Sequence, residues 1–147
     1  MKKDFNNDFK NFLNKFFLPS QEQSHLKKFS LSWDELVKKY KDTLSLSEKE
    51  LLDSIYEELE DTFIHMPGGK SETADKINWS LWNNEDGYYK IKMIEYIILS
   101  DITLTKSGFS SVMKKFYKED YRKWKKNNYD IDTKAIDSFI RTAVTKL

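Results

Sequence analysis

The sequence predicts an all-α fold, a compact single domain of about six to seven bundled helices over residues 1–147. Apolar residues recur at steps of three and four through most of the long segments. Ser20 with Gln23, Ser32 with Glu35, and Ser47 with Glu50 each place a Glu or Gln three residues after a serine. That is the capping-box pattern, in which hydroxyl and carboxylate satisfy the free amides at a helix start. No internal repeat, low-complexity segment or long linker divides the chain.

In residues 3–18, Phe5, Phe9, Phe12, Leu13 and Phe16 form an aromatic stripe on one helical face, and Pro19 stops that helix. Ser20 is expected to open a short helix toward Phe29, and Ser32 a second one carrying Trp33, Leu36, Val37 and Tyr40. Ser47 opens a long two-faced helix ending near Met66. Its core side is Leu51, Leu52, Ile55, Tyr56, Leu59, Phe63 and Met66, and its back is Glu50, Asp53, Glu57, Glu60 and Asp61.

Residues 71–82 are weakly patterned, and 83–87 form a turn signal. From Tyr88 two periods compete. Tyr88, Ile91, Ile94, Ile98 and Ile102 fit a helix, whereas Tyr89, Ile91 and Met93, with Lys90 and Lys92 between them, alternate like a strand. Length and helical neighbours favour the helix; the alternative is α+β, with a short strand or hairpin within 88–105. Gly108 precedes a long helix with Phe109, Val112, Met113, Phe116, Tyr117 and Trp124 inward, closed by Asn127 and Asn128. Asp132 or Thr133 caps a last helix through Ile136, Phe139, Ile140, Ala143, Val144 and Leu147.

Composition narrows the chemistry. The chain has no cysteine, which removes disulfides, thiolate nucleophiles and cysteine-held metals and fits a reducing cytoplasm. No apolar run reaches the about 18–20 residues of a membrane span, and the first residues lack a signal-peptide pattern. The expected location is therefore cytoplasmic, with no membrane partner. Net charge is +1, so electrostatic recognition rests on local distribution. Lysine far outnumbers arginine, present only at Arg122 and Arg141, and Asn, Ile, Phe and Tyr are plentiful. This composition suggests an AT-rich genome, a low-GC bacterium or one of its mobile elements.

Gly69-Lys70-Ser71 resembles the tail of a phosphate loop, but the position five before Gly69 is Ile64, not glycine. A helix precedes it where a strand is required, and Pro67 lacks the amide that a phosphate cradle uses. Pro67, Gly68 and Gly69 are expected to end the acidic helix instead. His25 and His65 are the only histidines, and no further ligands converge with them in sequence, so neither a metal nor a cofactor is expected. His65 is placed to pair with Asp61, one turn earlier, at a helix C-terminus. No Gly-x-Ser-x-Gly elbow occurs. No catalytic residues are assigned, and the chain is not expected to be an enzyme.

Two surfaces remain. At 100° per residue, Lys114, Lys115, Lys118, Arg122, Lys125 and Lys126 share one arc of the helix expected over 108–127, with Tyr121 at its edge. Such a stripe can follow phosphates while Tyr121 or Trp124 stacks on a base; it can equally be the solvated face of an amphipathic helix. Asp120 falls on the apolar arc, so the helix is expected to leave the core there and expose Tyr117, Tyr121 and Trp124. The other surface is the acidic face of Asp53, Glu57, Glu60 and Asp61. The expected function is a non-catalytic protein-binding domain, an inhibitor, immunity or regulatory factor that uses these charged and aromatic faces. The alternative is nucleic-acid binding or transcriptional regulation through the basic helix. The acidic and basic faces could also pair in a homodimer.

Overall fold

In the computed structural model of the chain, the described residues are 3–17, 26–66, 86–99, 105–118 and Ser138. They form five helices: α1 (Lys3–Phe16), α2 (Leu26–Lys39), α3 (Leu46–His65), α4 (Asp86–Leu99) and α5 (Lys106–Lys118). No strand occurs among these residues, which supports the expected all-α class; of the segment 88–105 offered for a strand or hairpin, 100–104 lie outside the described residues. Residues 88–99 are helical: the spacing of Ile91, Ile94 and Ile98, all buried, prevails over the local alternation.

One expected helix start is absent among the described residues, for a reason visible in α2. Ser32 does not start a helix; it lies inside one that runs from Leu26 to Lys39. Phe29, Trp33, Leu36 and Tyr40 stay in one helical phase across it, and all four are buried. Core burial thus outweighs the local capping signal of a serine. The expected start at Ser20, the weakly patterned segment 71–82 and the last helix lie outside the described residues, except for Ser138, which is helical.

Caps set the other starts, slightly offset from expectation. The N-cap of α3 is Ser45, not Ser47: its side chain accepts from the Glu48 amide at 3.2 Å, and the Glu48 carboxylate accepts from the Ser45 amide at 2.9 Å. A cap of this kind contributes about 1 kcal/mol. Ser47 sits within hydrogen-bond reach of Ser45, its hydroxyl 3.2 Å away. α5 begins at Lys106, two residues before Gly108, because Thr105 Oγ1 accepts from the Gly108 amide at 3.1 Å. α3 ends as the proline ahead of it requires: Met66 is extended (φ −77°, ψ 160°), and its amide still reaches the Thr62 carbonyl at 3.0 Å.

α3 is the central element, packed against α2, α4 and α5, while α1 packs on α2 and α4. The phenylalanine stripe of α1 is wholly buried, so it is core and not a membrane-facing surface. Phe29 is the hub of that core. Its ring stacks on Phe63 with centroids 4.5 Å apart and planes 8° from parallel, and meets Phe12, Phe16, Phe17 and Tyr56 at 5.2–5.8 Å. Edge-to-face and offset-stacked pairs of this kind add to simple area burial. No helix among the described residues is long and apolar enough to cross a membrane.

Candidate functional site

The polar chemistry of the described residues concentrates where α3, α4 and α5 meet. Lys90 falls on the buried face of α4, four residues before Ile94, and only 6% of its side chain is exposed. An ammonium taken out of water needs opposite charge and a partner for each proton. Lys90 Nζ donates to Tyr117 Oη at 3.1 Å, to Glu58 Oε2 at 3.2 Å and to Asp61 Oδ2 at 3.4 Å. All three donors are therefore matched. Tyr117 Oη in turn donates to Glu58 Oε2 at 2.7 Å, closing a ring of contacts across three helices.

Nζ is also 5.7 Å from the Tyr117 ring centroid. That distance exceeds the hydroxyl contact by nearly the span from ring centre to phenolic oxygen. Nζ therefore lies beyond the oxygen and not over the ring face, and the contact is a hydrogen bond and not a cation–π pair. Burial pushes the Tyr117 hydroxyl well above the usual phenol range, and the hydrogen bond to Glu58 and the charges of Glu58 and Asp61 push it further. Tyr117 as a whole remains 58% exposed.

Asp61 links this buried group to the surface. Its side chain is 59% exposed, with Oδ2 on Lys90 and Oδ1 3.4 Å from His65 Nδ1. The same imidazole nitrogen is 2.8 Å from the Asp61 carbonyl oxygen, so His65 pairs with both Asp61 and the helix end, as its spacing predicts. Among the described residues, no group of three or more His, Asp or Glu side chains is arranged to hold a metal ion.

The acidic face separates into distinct environments. Asp53 and Glu57 are exposed, and no cation among the described residues pairs with either. Glu60 accepts from the Tyr56 hydroxyl at 2.8 Å, and Asp61 belongs to the Lys90 cluster. Of the basic set, Lys114 is exposed on α5, and Lys118 is its last helical residue. Tyr121, Arg122, Trp124, Lys125 and Lys126, with Asp120, lie outside the described residues, as do residues 67–76 with the Gly-Lys-Ser sequence. The structure brings the two charged helices side by side, α5 packing on α3, and joins them at Glu58 and Tyr117.

A second polar cluster ties α1 to α2. Asp8 accepts from Lys39 Nζ at 2.8 Å and from the Tyr40 hydroxyl. These hydrogen bonds, the one from Lys39 foremost, hold the Asp8 carboxyl below the usual range; the bond to Asp8 raises Lys39 and Tyr40 above theirs. A carboxylate with a lowered folded-state value contributes stability above its unfolded value and loses it as pH falls through the folded one. Lys39 and Tyr40, raised on folding, contribute below their unfolded values and lose that contribution as pH rises through the folded ones. Asp8→Asn is therefore expected to flatten the acid limb of the stability profile, below about pH 4, and to lower stability at neutral pH. Unfolding midpoints over an acid pH series measure this; an acid limb as steep as in the parent chain would refute it.

On α4, Glu95 Oε2 is buried without a hydrogen-bond donor, and its compensation is the Lys92 ammonium 3.7 Å away. Sequence inspection alone missed Lys90, Glu58 and Tyr117 as a unit. The available signal was the phase of Lys90, which a helix places on the same side as Ile94 and Ile97.

Comparison of the chain with protein-family models, with curated proteins and with solved structures finds no match.

Proposed function

We propose that this chain is a non-catalytic interaction domain that binds a protein partner of basic surface through the outer face of α3, at Asp53, Glu57, Glu60 and Asp61. The observation that carries the proposal is the exposure of Asp53 and Glu57 on successive turns of a helix whose other side is anchored in the core at Leu51, Leu52, Ile55 and Leu59. A rigid helix holding carboxylates outward steers a cationic partner and fixes its register. The Lys90 cluster supports a binding role over a catalytic one, since each ammonium proton is already engaged within the fold. A regulatory or immunity role in a cytoplasmic bacterial setting belongs to the same proposal; the lysine-rich, arginine-poor composition bears on its AT-rich genome alone.

The test is affinity capture from the source lysate with the parent chain and with Asp53→Lys/Glu57→Lys, both exposed positions. A protein retained by the parent chain in low salt, and bound at least about tenfold more weakly by the variant, supports the interface. Equal retention by both rejects it. Nucleic-acid binding is the competing outcome. Fluorescence anisotropy with labelled duplex DNA, single-stranded DNA and RNA would then show affinity that falls linearly in log salt and is lost in Lys118→Glu/Arg122→Glu/Lys125→Glu.

A further inference from the structure

We infer that Tyr117 extends the acidic interface proposed above as a stacking platform for an arginine of the protein partner. A tyrosine at a surface ordinarily lays its ring on the fold and turns its hydroxyl to water. Tyr117 does the reverse. Its hydroxyl accepts from Lys90 Nζ at 3.1 Å and donates to Glu58 Oε2 at 2.7 Å, yet the residue is 58% exposed. Since a helix covers its own backbone and the hydroxyl is engaged, that exposure falls mainly on the ring. Phe116 meets the ring at 79° with centroids 5.5 Å apart, an edge-to-face contact that occupies at most one face. Lys90 Nζ lies beyond the hydroxyl, so it covers neither face. Leu31, Leu46 and Leu99 are the other large apolar side chains exposed among the described residues, and none offers a π face.

The surroundings select the occupant. Tyr117 and Asp61 share the Lys90 ammonium, which places the ring at the inner end of the acidic face. One ammonium against the carboxylates of Glu58 and Asp61 leaves a net negative charge beside a ring whose faces are themselves electron-rich. A phosphate is repelled there and a cation attracted. Arginine fits better than lysine, because its planar, weakly hydrated guanidinium stacks on a ring and still donates to a carboxylate such as that of Asp61, which is more than half exposed. The hydroxyl contacts hold the ring before a partner arrives, so little side-chain freedom is lost on binding. The inference rests on the acidic interface, but its signature, a preference between two cations, is separate from the affinity that the interface governs.

The test is fluorescence anisotropy with labelled hexa-arginine and hexa-lysine peptides at low salt, on the full chain, Tyr117→Phe, Tyr117→Leu and Asp53→Lys/Glu57→Lys. Both Tyr117 variants lose the same hydroxyl contacts at an exposed position, and Tyr117→Leu alone also loses the π face. The parent is expected to bind hexa-arginine about threefold more tightly than hexa-lysine, Tyr117→Phe to keep most of that preference, and Tyr117→Leu to bring the ratio to about one. A parent without the preference, or variants that lose it equally, overturns the platform. The acidic reading fails separately, if Asp53→Lys/Glu57→Lys binds both peptides as tightly as the parent. Failure of the parent to bind either peptide overturns both. Single-stranded DNA held by the parent and released by Tyr117→Leu would assign the ring to a base and also overturn the inference.

Discussion

Replacing Phe29 with alanine is expected to lower the unfolding free energy by about 4 kcal/mol. The Phe29 ring is fully buried and sits between rings from two other helices: Phe12 and Phe16 on α1, with Phe17 just beyond its end, and Tyr56 and Phe63 on α3. Deleting it removes the transfer energy of the ring and leaves a cavity that stiff aromatic neighbours fill poorly. Since domains of this size are stable by only about 5–15 kcal/mol, the variant should stand near the edge of folding. Urea unfolding followed by far-ultraviolet circular dichroism measures the loss, with Leu31→Ala as a control at an exposed position, expected within about 0.5 kcal/mol of the parent. A loss below about 1.5 kcal/mol for Phe29→Ala would mean that the surrounding rings collapse into the space, and that Phe29 is not the rigid hub of the core.

That hub was legible in part. The phenylalanine stripe of α1 and the two faces of α3 follow directly from a 3.6-residue period, and every residue assigned to those stripes but Tyr56 is buried, with Tyr56 packed against the core. The starts were less legible because capping chemistry is local and degenerate. Ser45 with Glu48 and Ser47 with Glu50 are equally good boxes in sequence, and only the geometry at Ser45 shows which one forms. At Ser32 a box signal is overridden by the ring positions on either side of it. Long-range pairing was not legible at all. Asp8 meets Tyr40 across 32 residues, and Tyr117 meets Glu58 across 59, separations over which no periodicity operates.

Lys90 shows where such a site can be half-read. Helical phase places a cation in the core, and elementary electrostatics then demands a carboxylate, but which carboxylate depends on how α4 crosses α3. The acidic face is thus not one surface. Its inner edge, Glu58 and Asp61, neutralises Lys90, and its outer edge, Asp53 and Glu57, is free to meet a partner.

This division predicts an asymmetry in stability. Glu58→Gln with Asp61→Asn leaves a buried ammonium without counter-charge and is expected to cost about 3 kcal/mol, because Lys90, 6% exposed, cannot rehydrate without opening the junction. Lys90→Met removes the same ion pairs from the other side and is expected to cost about 1 kcal/mol or less. Its side chain is of similar length and apolar, Glu58 is 25% and Asp61 59% exposed and each can turn to water, and Tyr117 can still donate to Glu58. Combining all three substitutions should recover most of the loss of the double variant, since the amides then face an apolar side chain in place of a stranded charge. Chemical unfolding of the three variants gives the coupling energy directly. If Lys90→Met costs as much as the double neutralisation and the effects simply add, the ammonium is hydrated after all, and the junction of α3, α4 and α5 is held by its apolar contacts alone.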